Sequence, residues 1–489
     1  MLSVLAVCTA SADNDRLPLR HCCEDAELTK AAVRTRASVS TPLQGDVCIP
    51  IILAAYQDVP FSIENVREVW DEMANKHGYS EHGANGCMAD YFYEQSYGQL
   101  RVTFDVIGPV TLSENRAYYG GNNDAKAYQM IQEACRLADQ LPGVDFSRYW
   151  GHNGYVETAL VVYAGVGENV VGAPEEVIWP KQNYAGFEIN DKFRLWVYAC
   201  ANELVWPNMR QEGFGPLIHE FSHCLGLRDL YNVDESVKDY IYFDEWDLMD
   251  GGCYSNDSWG PVGYSAYERY LCGWMQLEEL EDTDDIDGLE ALSDGGMAYK
   301  LSSPTSSEYL ILENRQQQSY DTYLPGHGLL VTHVGAYSSD PNYGSRVTVY
   351  PIPADGLSYP QCVKKYVQDY YGVTLPDESL NLTSKYKKYL YDENGRNRMM
   401  AGAAFPYVVD GEIVCNSLTM YGKTVNHIHE REGLISFHVA PEGADAVMAA
   451  KTDARPIACY DLHGRPSDGF SPGIYIIRYS DGTIQKVIR

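Results

Sequence analysis

Residues 213–231 read GFGPLIHEFSHCLGLRDLY, and their spacing decides what the rest of the chain must support. His219, Glu220 and His223 form H-E-x-x-H, followed by Gly226 and Asp229. A helix puts residues four apart on one face, with Cβ atoms about 5–6 Å apart. His219 and His223 can therefore both address one tetrahedral Zn²⁺, with Zn–N distances near ~2.0–2.1 Å. Glu220 falls beside that ion without ligating it. A carboxylate there can take a proton from an attacking water. A catalytic zinc keeps three protein ligands and one open position. Gly226 can take the left-handed conformation that ends a helix, and the returning chain offers Asp229 as the third ligand. The two histidines alone would equally suit a polar surface helix. The five-position pattern is far more specific.

A second stretch, WDLMDGG at 246–252, places Met249 twenty positions after Asp229. It is similar to the Met-turn of metzincins, a tight turn whose methionine lies as an apolar floor under the metal. Taken alone it would read as a methionine in an ordinary buried turn.

The chain has 489 residues, long for a single core, so two or three domains are expected. Asp and Glu number 68 against 37 Lys and Arg, a net charge of −31. That balance argues against nucleic acid and anionic membranes, which both require basic clusters. No apolar run reaches the ~18–20 residues of a membrane span. Leu2–Cys8 is apolar and Thr9–Ala12 small, so residues 1–12 read as a signal peptide whose first residues are cut short. A frayed apolar terminus is the plain alternative. Residues 13–45 are a short pro-segment or a disordered lead-in, with Arg34 and Arg36 as cleavage points. The 13 cysteines show no C-x-x-C pairs, which argues against a cysteine zinc site. Cys22 and Cys23 are read as disulfide or buried thiols rather than zinc caps, and Cys224 as helix packing.

Val47–Tyr56 is an apolar run of strand length. Ser62 can cap a helix to about His77, with Val66, Val69, Trp70 and Met73 as its stripe. Asp90–Gly98 begins as a helix, and Leu100–Val110 alternates as a strand. Asp124–Leu141 predicts a second helix with Tyr128, Ile131, Cys135 and Ala138 inward. Thr158–Ala164 is another buried strand. The fold class is α/β: a mixed sheet covered by helices, with the active-site helix packed under it. Tyr264–Trp274 predicts a helix with Tyr267, Tyr270 and Leu271 on one face. Glu278–Glu290 is acidic, but Ile286 breaks the D-x-D-x-D offsets of an EF-hand, so it reads as a solvated boundary. Strands follow at Tyr309–Glu313, Gly328–Val334 and Arg346–Ile352. His327 and His333 read as polar partners rather than a second metal site. The expected units are a catalytic domain over 46–275, a β-rich region over 276–440 and a small β-sandwich over 444–489. The last would carry strands Pro456–Tyr460, Gly473–Tyr479 and Gln485–Ile488.

HEFSHCLGLRD at 219–229, WDLMDGG at 246–252 and YSAYER at 264–269 resemble the immune inhibitor A-type metallopeptidases, peptidase family M6. DYFYEQSYGQL at 90–100, YYG at 118–120, EYLILENR at 308–315 and LPGHGLL at 324–330 look like the same family. The likeness covers about residues 46–440. It implies a zincin/metzincin-like catalytic domain and a secreted zinc endopeptidase, with structural Ca²⁺ in addition. It gives His219, His223 and Asp229 the ligand roles and Glu220 that of general base. The family's Asp-rich loop is replaced here by WGHNGYVE at 150–157, and the long pro-region is nearly missing. YDLHGR at 460–465, PGIYIIR at 472–478 and the final KVIR resemble the C-terminal sorting domains of type IX secretion. That implies a tail addressed to secretion machinery and a secreted or bacterial cell-surface location. The expected partners are protein or peptide substrates, and the expected state is a monomer. Tyr254, just past the turn, is one candidate for an oxyanion donor. A catalytically silent zincin-like binding protein or an adhesin is the competing reading, against which the intact Glu220 speaks.

Overall fold

The computed structural model describes residues 44–443, apart from 150, 170–171, 232–242, 336–347, most of 359–391, 393 and 399, and also 456–461, 474–479 and 484–488. The expected signal peptide, Cys22, Cys23 and nearly all of the lead-in lie outside the described residues.

The apolar run from Val47 forms β1 (Gly45–Ala55), followed by helices α1 (Val66–Asn75) and α2 (Met88–Gln95). Then come β2 (Leu100–Thr111), α3 (Arg116–Asp124), α4 (Ala127–Asp139) and β3 (Tyr155–Val166). After them run β4 (Lys181–Tyr184), β5 (Arg194–Val205), β6 (Arg210–Gln211) and α5 (Gly215–Cys224). The sheet order is β2-β1-β3-β5-β4, with β6 also on β5. Strands β2, β1, β3 and β5 are parallel; β4 and β6 run antiparallel to β5.

Both faces of this sheet are covered, which is why its central strands β1, β3 and β5 carry continuous apolar runs, whereas β2 at the edge alternates. Ile49, Ile51, Leu53, Leu160, Val162, Ala199 and Ala201 face one apolar cluster with Trp70, Phe92 and Phe221, from α1, α2 and α5. The alternate residues Ile52, Ala54, Val161, Tyr163, Tyr198 and Cys200 face another, with Met130, Ile131 and Ala134 of α4. Helix α5 packs on β5, beside β3 and β4.

Beyond α6 (Ala266–Leu271) strands dominate. They are β7 (Leu277–Glu279), β8 (Asp285–Leu289), β9 (Ala298–Ser302), β10 (Tyr309–Arg315), β11 (Gly328–Val334) and β12 (Val349–Pro351). Then follow β13 (Tyr407–Val409), β14 (Glu412–Cys415), β15 (Leu418–Met420), β16 (Lys423–Arg431) and β17 (Leu434–Pro441). They make a five-stranded sheet β12-β11-β10-β9-β7, a four-stranded sheet β15-β16-β17-β8 and the hairpin β13-β14. The core on the α5 side of the first sheet also takes in Leu292, Ile311, Leu330, Val334, Val349 and Ala403, so apolar packing runs on past residue 275. Strands β18 (Pro456–Asp461), β19 (Ile474–Tyr479) and β20 (Ile484–Ile488) form an antiparallel three-stranded sheet near the C-terminus. No described helix is long and apolar enough to cross a membrane.

Local expectations needed correction in four places. Ser62 does not cap α1. Its N–H and hydroxyl donate to the Glu203 carboxylate at 2.7 and 3.0 Å, and the helix starts after Asn65, whose φ is 52°. Tyr128 is 46% exposed, and Met130 and Ala134 take the inward places beside Ile131, Cys135 and Ala138. On α6, Tyr267 is buried, whereas Tyr270 and Leu271 are 41% and 52% exposed. The helix has only six residues, too few for the longer stripe. The acidic stretch at 278–290 contributes strands β7 and β8, with its carboxylates pairing outward: Asp282 with Lys423 at 3.2 Å and Asp285 with His438 at 2.8 Å.

Candidate metal centre

Helix α5 starts where two glycines let the backbone press inward. A Cβ on Gly213 would lie 2.1 Å from the Ser258 carbonyl oxygen, and one on Gly215 1.9 Å from that of Cys253. Pro216 occupies the first turn, where its missing N–H costs nothing. The N-terminus of α5 is thereby seated on the segment that follows the 246–252 turn. The helix ends at Cys224. Gly226 takes φ 102°, its N–H donating to the His223 carbonyl, and Leu227 N–H returns to Ser222 at 3.2 Å. That reversal carries Asp229 back under the helix.

His219, His223 and Asp229 are brought together. Asp229 Oδ1 lies 3.2 Å from His219 Nε2 and 3.3 Å from His223 Nε2, all three residues being buried. One ligand atom from each falls within 4.8 Å of the others. The two imidazole planes stand at 89°, with centroids 4.9 Å apart. Among the described residues this is the one group of three or more His, Cys, Asp or Glu side chains placed to hold a metal ion.

The donor set fits zinc. Tetrahedral bonds of about 2.0–2.2 Å put neighbouring ligand atoms about 3.3–3.6 Å apart, close to the two distances found. Each imidazole is also held from behind. His219 Nδ1 lies 2.9 Å from the Leu248 carbonyl oxygen and His223 Nδ1 3.0 Å from that of Leu227. A backbone carbonyl only accepts, so each Nδ1 carries the proton and each Nε2 presents its lone pair forward. Burial alone would push the Asp229 carboxyl up. The neighbouring His223 and His219 outweigh it and hold the Asp229 carboxyl below the usual carboxylate range.

Glu220 is fully buried on the same turn of α5. Met249 is fully buried in the 246–252 turn. That turn meets the ligand segment twice: the Leu248 carbonyl accepts from His219, and the Met249 carbonyl accepts from Leu230 N–H at 2.9 Å, one residue after Asp229. Tyr254 is buried at the end of the helical turn Gly251–Tyr254. His327 and His333 sit elsewhere. His327 Nδ1 meets Glu430 at 2.8 Å, and the His333 ring stacks on Tyr350 at 4.7 Å.

Sequence reasoning missed a second buried polar cluster behind the turn. Arg315 of β10 donates to Asp321 at 2.7 and 2.8 Å, to Glu313 at 3.2 Å, and to the carbonyls of Trp246 and Gly263. Glu313 accepts from Ala266 N–H at 2.6 Å. Glu268 accepts from Ser265 N–H and hydroxyl at 2.9 and 3.1 Å and lies against Asp247. Arg269 donates to Gln95 of α2 at 2.8 Å. The only signal available was that Gln95, Asp247, Glu268, Glu313 and Arg315 all lie in stretches quoted above for their family likeness.

No family model matches the chain. It is similar to the pre-pro-metalloprotease PrtV of Vibrio cholerae serotype O1, in strains M66-2 and ATCC 39315 / El Tor Inaba N16961. The identity is 24% over 265 residues, covering 45% of this chain and 28% of each relative. The chain thus matches little more than a quarter of the length of these relatives. This distant likeness points to a metallopeptidase.

Proposed function

We propose that the chain is a secreted zinc-dependent endopeptidase of the M6, metzincin-like type, acting on proteins and peptides. The observation that carries this is the convergence on one point of His219 Nε2 and His223 Nε2, from a helix also bearing Glu220, and of Asp229 Oδ1 from the returning segment. The likeness to a metalloprotease supports it independently. A resident zinc supplies Lewis acidity and makes water acidic enough to attack at neutral pH. The protein's part follows from its residues. His219 and His223 keep bare Nε2 atoms because Leu248 and Leu227 hold their Nδ1 protons. Glu220 takes the proton of the attacking water and returns it to the departing amine nitrogen. All four side chains are buried, which limits their access to bulk water.

In this reading residues 1–12 direct export, and the β18–β20 tail addresses a type IX secretion route. Structural Ca²⁺ remains part of the M6 assignment without a designated site. Metal analysis of the purified chain, paired with cleavage of a peptide library, tests the reading. The expected result is one zinc per chain and endoproteolysis abolished by a chelator and restored by zinc. Cleavage that persists in metal-free protein would rule the assignment out.

A further inference from the structure

The 246–252 turn is the element that ties both ends of the ligand set together, and it is itself anchored through Asp247. Asp247 Oδ1 accepts Met249 N–H at 2.8 Å, and the Asp247 carbonyl accepts Gly252 N–H at 2.9 Å. The other carboxyl oxygen, Oδ2, has no donor at hydrogen-bond geometry, and neither does Oε1 of Glu268; the Ser265 hydroxyl, which lies close enough to favour the Asp247 anion, donates to Glu268 Oε2 at 3.1 Å. The two side chains face each other, both buried to within 1% of completely. Two carboxyls in contact in a dry site cannot both ionise; one proton between them turns repulsion into a short, charge-assisted hydrogen bond.

We propose that Asp247 and Glu268 share one proton, and that this acid pair is the positioning device that holds the Leu248 carbonyl against His219. The inference rests on the peptidase reading for its consequence but not for its chemistry.

The surroundings explain why a proton, rather than a cation, closes the contact. Around the pair stand Arg269 of α6, Glu313 and Arg315 of β10, the Cys272 thiol, and the phenols of Tyr91 and Tyr264. Arg315 is committed to Asp321 and Glu313. Arg269 spends its donors on Gln95 and the carbonyls of Tyr264 and Leu292. Asp247, Glu268, Glu313 and Asp321 thus share two arginines, and among the described residues no guanidinium bond reaches Asp247 or Glu268. Burial, then the Asp247 charge, push the Glu268 carboxyl well above its usual range, and burial raises Asp247 as well.

The sign of the consequence follows by linkage. Above the unfolded glutamate value of about 4.3, the native chain holds a proton that the unfolded chain has released. Stability therefore falls as pH rises, until the native proton is lost too. Loss of the proton would leave two buried anions behind the turn that carries the His219 acceptor.

The test uses the full chain and three variants. Glu268→Gln can accept from Ser265 and donate an amide proton to Asp247 at any pH. Asp247→Asn supplies the same bond in reverse while keeping an acceptor for Met249 N–H. Glu268→Ala removes the contact. Thermal unfolding midpoints of chelated protein are measured from pH 5 to 9, and Zn²⁺ affinity from pH 7 to 9. The wild-type midpoint is expected to fall with pH, and both amide variants to flatten that fall. Glu268→Ala is expected to weaken zinc binding roughly tenfold, as loss of an outer-shell support does, with Glu268→Gln restoring it. Equal pH profiles for wild type and the two amide variants would overturn the proposal. So would wild-type zinc affinity in Glu268→Ala, or no rescue by glutamine. Because the unfolding arm needs no zinc and no turnover, it stays decisive if the chain is not a peptidase.

Discussion

Two buried polar clusters lie on opposite sides of the 246–252 turn, and they are built by opposite means. The candidate metal-binding trio comes from eleven consecutive residues, His219–Asp229, with one helix and one reversal doing the placement. The acid–arginine cluster is gathered from α2, the turn itself, α6, β10 and the loop holding Asp321. The first brings three ligand-type atoms to one point. The second spends nearly every donor on closing backbone and side-chain acceptors. The contrast teaches that chemistry and rigidity are separable here. The reactive set is local, and what fixes it against the rest of the molecule is not.

The largest expected effect breaks the chemistry and spares the frame. Glu220→Gln should lower kcat by roughly 10²–10⁴-fold, the usual contribution of a positioned general base. Zinc content and unfolding midpoint should stay at wild-type levels. Steady-state peptide hydrolysis with metal analysis measures both. Full activity in that variant would show that another group moves the proton.

The reverse experiment attacks the frame. Arg315→Met leaves Asp321 and Glu313 as uncompensated buried carboxylates and releases the Trp246 and Gly263 carbonyls. Removing one partner of a buried pair costs about 3–5 kcal/mol, which equilibrium denaturation of chelated protein would read directly. A loss under about 1 kcal/mol would mean that the cluster is not what holds the two sheets' shared core in register. Zinc itself should add less. At a free concentration a hundredfold above its Kd, binding to the native state alone stabilises by about 2.7 kcal/mol. Calorimetry with and without chelator gives that figure, and its absence would place the ion outside the folded site.

The same contrast explains what could be read from the sequence. Helix periodicity and the i, i+4 pair place His219 and His223, and Gly226 marks the reversal, so the trio was legible. Strands β1 and β3 were legible because both-face burial writes continuous apolar runs, and the edge strand β2 because its buried and exposed residues alternate. Strand β5 was not read, although Leu195–Ala201 is an apolar run of strand length; the buried polar residues Asn202 and Glu203 follow it within the strand. The structure shows why they can be buried there. Glu203 accepts from Ser62 and Ile63 at one oxygen and from Gly165 N–H at the other. Ser62 was misread for the same reason: its partner lies 141 positions away. The roles of Asp247, Glu268 and Arg315 were equally hidden, because no local period links residues that meet only after the turn, α2, α6 and β10 have packed together.

Gly226 is the position where the local cluster depends on backbone conformation alone. Its φ of 102° suits glycine, and a Cβ added there would meet nothing within 4 Å. Gly226→Ala therefore tests strain without a clash, unlike Gly213, where the Ser258 carbonyl stands in the way. Holding an L-residue in such a conformation costs about 1–2 kcal/mol, less than losing Arg315. The strain is relieved by shifting the reversal, which moves the Leu227 carbonyl off His223 Nδ1, now 3.0 Å away. A loss of about 1–2 kcal/mol in denaturation of the metal-free protein, together with weaker zinc binding, is the expected pairing. Weaker zinc binding with no loss of stability would mean that the reversal is not held in that conformation until the metal arrives, and that the trio is assembled by its ion rather than by its fold.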